Sequence, residues 1–219
     1  MKRVYLIRHG QSANNALPEA LRVCDPDLTD VGRRQAESTA AWAEERRVDF
    51  LYCSPFLRAL ETMRPIAERK GVPVHVRADI FEQGGCYSGH LPGKQRGEPG
   101  MARQRLEAVY PTWTVDDRIA NTGWWGRDYE TLDQATQRSV DVATWLKTHV
   151  AQSPGVHLFV IHADFKKLLL ANMLADQSQV DLPNLRLYNA GITCFDLVEG
   201  SWSLNDLNSV SHLTPSLVT

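Results

Sequence analysis

Residues 4–10 read Val4-Tyr5-Leu6-Ile7-Arg8-His9-Gly10: an unbroken apolar and aromatic run, then a guanidinium, an imidazole and a glycine. A short continuous apolar run suits a strand buried on both faces, the form strands take in parallel sheets covered by helices. Polar residues that abut such a run lie at its carboxyl end, where open α/β sheets collect their ligands. Downstream, a helical pattern over about Val31 to Arg47 leads into a second run, Phe50-Leu51-Tyr52-Cys53, which is βαβ grammar. Ser54-Pro55 then predicts a helix start, with Ser54 as cap, and Gly71 its stop.

The same reading continues along the chain. Pro73 to Arg77 is expected as a third strand, about Glu130 to His149 as a helix, Leu158 to Ile161 as a buried strand and Phe165 to Leu174 as another helix. Ile192 to Val198 and Trp202 to Leu207 form a hairpin across Glu199-Gly200-Ser201, and the tail after His212 is expected to be loose. Between Glu82 and Arg127 the character changes, with 8 of the 14 glycines and the tryptophans Trp113, Trp124 and Trp125. The expectation is one α/β domain over 1–219, a three-layer α/β/α sandwich with a mostly parallel sheet and a cap inserted at about 82–128.

Lys plus Arg number 24 and Asp plus Glu 26, a net charge of −2, so no global field recruits nucleic acid or anionic membrane. No apolar run approaches the roughly 20 residues of a membrane span, and a cytoplasmic protein is expected. The cysteines Cys24, Cys53, Cys86 and Cys194 form no CxxC pair; Cys53 and Cys194 read as buried strand thiols. From Gly93 to Arg127 six basic residues stand against four acidic ones. Arg96, Arg103 and Arg105 there, like the helical Arg33-Arg34 and Lys166-Lys167, are expected to face water. His75, His90, His149, His157 and His212 carry no context of their own, and Trp124-Trp125 can anchor the insertion or form a substrate wall.

Three strands end in polar residues: Ile7 before Arg8-His9-Gly10, Cys53 before Ser54-Pro55, Ile161 before His162. A parallel sheet brings these ends together although His9 and His162 are 153 positions apart. With Arg58 early in the following helix, two guanidiniums and two imidazoles make a site for a dianion such as a phosphoryl group.

These residues resemble the histidine phosphatase superfamily, which includes the cofactor-dependent phosphoglycerate mutases. The likeness runs in order through Arg8-His9-Gly10-Gln11-Ser12 with Asn15, Leu28-Thr29 to Gly32 with Gln35-Ala36, Ser54-Pro55 to Arg58-Ala59 with Thr62, Val160-Ile161-His162, and Asn189 to Thr193. The resemblance implies that His9 is the phosphoryl-accepting nucleophile. Arg8, Arg58 and a protonated His162 hold the phosphoryl oxygens, and Asn15 donates to one of them. Glu82 is the implied general acid, with Glu130 as runner-up, whose place near Arg138 better suits a structural carboxylate at a helix start. No metal and no cofactor is implied, and the partner is a small phosphorylated substrate, with oligomeric state open and a homodimer one option. Where the family writes small residues after the second histidine, this chain has Ala163-Asp164, and Asp164 is expected to cap the next helix. The activity expected is metal-independent phosphomonoester hydrolysis through a phosphohistidine; the alternatives are a phosphomutase and, less favoured, a non-catalytic phosphate-binding module.

Overall fold

The computed structural model describes residues 1–175, 181–182 and 184–219. Its strands are β1 (Lys2–Arg8), β2 (Phe50–Cys53), β3 (Val74–Val76), β4 (Tyr87–Ser88), β5 (Arg96–Gly97), β6 (Thr114–Val115), β7 (Gly155–Ile161), β8 (Ile192–Val198) and β9 (Ser201–Ser209). The α-helices are α1 (Ala13–Ala16), α2 (Asp30–Glu44), α3 (Leu57–Lys70), α4 (Arg103–Val109), α5 (Leu132–Gln152) and α6 (Ala163–Met173). Seven strands form one sheet in the order β6-β3-β2-β7-β1-β8-β9. The first five are parallel; β8 runs antiparallel to β1, and β9 pairs antiparallel with β8 to complete a hairpin edge.

The first apolar run splits its side chains between two cores. Tyr5 and Ile7 join Ala40, Leu60 and Met63 beneath α2 and α3. Val4 and Leu6 join Leu146, Phe159, Phe165 and Leu169 beneath α5 and α6. Successive residues of a strand point to opposite faces, so a run with no polar member fits a sheet covered twice. Thr29 caps α2 by accepting from Gly32 N at 3.0 Å, Thr131 and Gln134 form a capping box on α5, and α3 stops at Gly71 with φ 62°.

Three expectations are corrected. Ser54 does not cap α3, which starts at Leu57; Asp25 from a distant loop accepts from Leu57 N at 2.9 Å instead. The tail after His212 is packed: Leu213 and Leu217 are buried with Ala190, and Gln35 Nε2 donates to Leu217 O at 2.7 Å. The glycine-rich segment forms α4 and a two-stranded ribbon and lends β6 to the main sheet. Arg103 faces little water there, because its guanidinium clasps the carbonyls of Ile119, Val115 and Asp116. Among the described residues no helix is long and apolar enough to cross a membrane.

Candidate active site

The register Arg8↔Ile161 and Cys53↔Val160 lays the ends of β1, β7 and β2 side by side. His9 N then bonds to Ile161 O at 2.9 Å and Ser54 N to Val160 O at 3.1 Å, so the three strand ends lead into one cluster. Above them lies a cavity of about 350 Å³ whose wall includes Arg8, His9, Asn15, Arg58, Glu82 and Asp164.

His9 is buried, and each ring nitrogen has one contact. Nδ1 lies 2.6 Å from Gly10 O, which can only accept, so Nδ1 carries the hydrogen. Nε2 therefore presents a lone pair, and Arg58 Nε donates to it at 3.1 Å. Burial, then the charges of Arg58 and Arg8, hold the imidazole well below the usual histidine range, which keeps it neutral. The backbone around it is fixed from several sides. Gly10 N bonds to Thr62 Oγ1 at 3.0 Å, Gln11 N to Gln35 Oε1 at 2.6 Å, and Asn189 Nδ2 donates to His9 O at 3.1 Å. Gly32 packs so close that a Cβ there would stand 2.0 Å from Gln11 O, which explains a glycine in the first turn of α2.

Arg58 lies over the Phe56 ring, its guanidinium carbon 3.9 Å from the centroid, with Asp25 at 4.0 Å. Burial raises the Asp25 carboxyl to about 6, while Arg58 pulls the other way. Arg8 is tethered by Leu187 O at 2.6 Å, and its buried Nε has no partner among the described residues. His162 stands behind the cavity wall, its ring 5.1 Å from that of His9 and its Nε2 2.7 Å from Ser54 Oγ. This contact, instead of a helix cap, is what Ser54 supplies. His162 Nδ1 is buried without a partner among the described residues, and burial followed by Arg58 keeps the ring neutral in the unliganded protein, a correction to the protonated form expected. Asn15 is at the exposed rim. Its Oδ1 accepts from Ser12 and from Asn189 Nδ2 at 3.2 Å, which leaves its own NH₂ group for a ligand.

Glu82 sits over the N-terminus of α6. Its Oε1 accepts from Phe165 N at 2.9 Å and Gln83 N at 3.0 Å, and Oε2 from Asp164 N at 3.3 Å. It thus takes the capping position expected of Asp164, whose own carboxylate is exposed. Burial, then the charge of Asp164, raises the Glu82 pKa. Glu130 is placed elsewhere, in a two-pronged pair with Arg138 at 2.8 and 2.7 Å. Trp124 packs on Phe56 and Phe81 with ring centroids at 4.6 and 5.6 Å, and neither it nor Trp125 lines the cavity.

Some wall residues had no signal in the sequence: Arg22, Tyr87, His90 and Gln83. Lys166 was expected at the surface and is fully buried, bonded to Gly191 O at 3.0 Å, with burial bringing its pKa down to about 7. Its partner is legible only in three dimensions, since Gly191 O also accepts from Arg8 N. Among the described residues no group of three or more His, Cys, Asp or Glu side chains is placed to hold a metal ion.

A fold with strand ends built around a histidine and two arginines defines a phosphoryl-handling α/β enzyme. The chain belongs to the histidine phosphatase superfamily, branch 1, whose sequence model matches residues 4–210; it is a phosphoglycerate mutase-like phosphohydrolase of that superfamily. It is 25% identical over 214 residues to the uncharacterized phosphatase PhoE of Bacillus subtilis, covering 98% of both chains. A glucosyl-3-phosphoglycerate phosphatase of Mycolicibacterium vanbaalenii is 31% identical over 127 residues, 56% of this chain and 52% of that protein. Among solved structures, a mutant phosphoserine phosphatase from Entamoeba histolytica in complex with phosphoserine superposes with a TM-score of 0.66 at 22% identity, over 98% of this chain and 100% of that one. At that identity the likeness speaks for the fold.

Proposed function

We propose that the protein hydrolyses a small phosphomonoester without a metal ion, through a phosphohistidine on Nε2 of His9. The observation that carries this reading is the state of the His9 ring: a hydrogen on Nδ1 held by Gly10 O, and a lone pair on Nε2 facing Arg58. A nucleophile needs that tautomer and needs to be neutral, and both conditions are met before substrate arrives.

When a phosphoryl group enters, the Arg58 guanidinium turns its hydrogens to the phosphoryl oxygens and frees Nε2. The Nε2 lone pair attacks phosphorus as the ester P–O bond breaks, and Glu82 passes its proton to the leaving oxygen. Arg8 and Arg58 balance the charge spread over the oxygens, and the partnerless Nδ1 of His162 donates to one of them when Ser54 donates to Nε2. Water then attacks the phosphohistidine and gives a proton to Glu82, phosphate departs, and Nε2 regains its lone pair. The arginines do the electrostatic work that a metal does in other phosphatases, which supports the metal-independent reading.

A panel of phosphomonoesters, including p-nitrophenyl phosphate, assayed for free phosphate in EDTA tests it. Turnover is expected to be indifferent to EDTA and competitively inhibited by orthovanadate. Activity lost in EDTA and restored by a divalent ion contradicts the reading, and so does conversion of 3-phosphoglycerate to its isomer without phosphate release.

A further inference from the structure

We propose that the pocket selects phosphomonoesters whose alcohol carries an ammonium group, and that Asp164 receives it. This rests on the phosphomonoesterase reading above and adds the chemistry of the leaving alcohol.

Asp164 belongs to the first turn of α6 and lines the same cavity as Arg8, His9, Arg58 and Glu82. Its backbone N–H bonds to Glu82 Oε2 at 3.3 Å. Glu82 is the group assigned to protonate the ester oxygen, so Asp164 stands on the alcohol side of the reacting phosphorus, not among the phosphoryl ligands. Among the described residues its carboxylate has no hydrogen bond and no ion pair. The other carboxylates at this end of the sheet are engaged. Glu82 accepts from three amides, Asp25 accepts from Leu57 N and faces Arg58 at 4.0 Å, and Glu19 faces Arg22 at 3.6 Å.

Once a phosphoryl dianion lies against Arg8 and Arg58, their charges are balanced by it, and Asp164 is left without a counter-charge among the described residues. A carboxylate or second phosphate on the alcohol would be held next to a like charge. An ammonium group would instead complete the pair. Arg22 is the wall group suited to an anionic tail; its Nη1 faces Glu19 at 3.6 Å, and its buried Nε has no hydrogen-bond partner among the described residues.

The test uses two esters of matched size, 2-aminoethyl phosphate and propyl phosphate, with p-nitrophenyl phosphate and 3-phosphoglycerate run beside them. Wild-type kcat/KM is expected to favour the aminoethyl ester. Asp164→Asn is expected to reduce the ratio of the two efficiencies by about fivefold or more, the scale of one partly screened ion pair. Comparing ratios cancels the different basicities of the two alcohols. Asp164→Glu, which keeps the charge, should retain a preference for the aminoethyl ester. An unchanged ratio in Asp164→Asn, whether or not both rates fall, overturns the proposal, as does 3-phosphoglycerate being turned over faster than the aminoethyl ester. Hydrolysis of p-nitrophenyl phosphate without charge preference sinks only the Asp164 assignment, whereas no hydrolysis of any ester sinks the phosphomonoesterase reading itself.

Discussion

An acid seated on helix amides works against its neighbours. The N–H groups of Asp164 and Phe165 favour the carboxylate form of Glu82, while burial and the charge of Asp164 favour the protonated form and prevail. Two consequences follow for a substitution that keeps its shape. Glu82→Gln should slow an alkyl phosphate by on the order of 10² or more, the range for a lost general acid, and slow p-nitrophenyl phosphate much less, because a phenolate leaves without a proton. In the wild type, kcat/KM for the alkyl ester should fall as pH rises through the raised Glu82 pKa, since the acid is then lost; the Gln variant should lack that limb. Initial rates on both esters against pH check this, and equal losses on the two would remove Glu82 from the acid role. Glu82 itself was legible because it follows an apolar run in the place the family resemblance gives its acid. Asp25 was not, because its partners Leu57 and Arg58 lie more than thirty positions away and nothing local marks a carboxylate that reaches across to another helix.

At the scale of elements, strand ends were readable and the supports behind them were not. Apolar runs stop at Ile7, Cys53 and Ile161, so the convergence of His9, Ser54 and His162 follows from parallel register alone. Ser54-Pro55 misled because a serine before a proline is the usual start of a helix, whereas here its hydroxyl is taken by His162. The insertion had two readings for its tryptophans, and the packing of Trp124 on Phe56 and Phe81 favours the anchor. Phe56 in turn packs on His162 with centroids at 5.0 Å, so the anchor reaches the back of the site. Trp124→Ala should therefore destabilise the protein by about 3 kcal/mol or more, as for other buried tryptophans, without reordering the substrate panel. Thermal unfolding and the panel check both halves; a reordered panel at unchanged Tm would restore the wall reading.

Taken whole, the molecule keeps several histidines neutral inside it. His75, His149 and His157 surround Tyr52, with His149 Nε2 2.6 Å from its hydroxyl, and burial lowers all three pKa values. His212 packs against Thr39 and Trp42 in the tail, its pKa lowered to about 4, chiefly by burial. Unfolded histidines take up protons near pH 6.5 and these do so lower, so each binds more protons when unfolded and its contribution to stability is lost as pH drops from about 6.5 toward 4, against an opposite contribution from the raised carboxyls of Asp25 and Glu82. Acidification across that window should lower the Tm of wild type relative to that of His212→Gln; an identical pH dependence of Tm in the two would contradict the burial of the His212 ring. Sequence could not give this, since each histidine is isolated in the chain, and His75, His149 and His157 meet only in the fold, around Tyr52. The central claim is the nucleophile. Brief reaction with a ³²P-labelled phosphomonoester, quenched without acid, should leave label on the protein that survives alkali and is lost in acid, and His9→Ala should abolish both label and turnover. Label retained in His9→Ala, or turnover persisting without His9, would contradict the account.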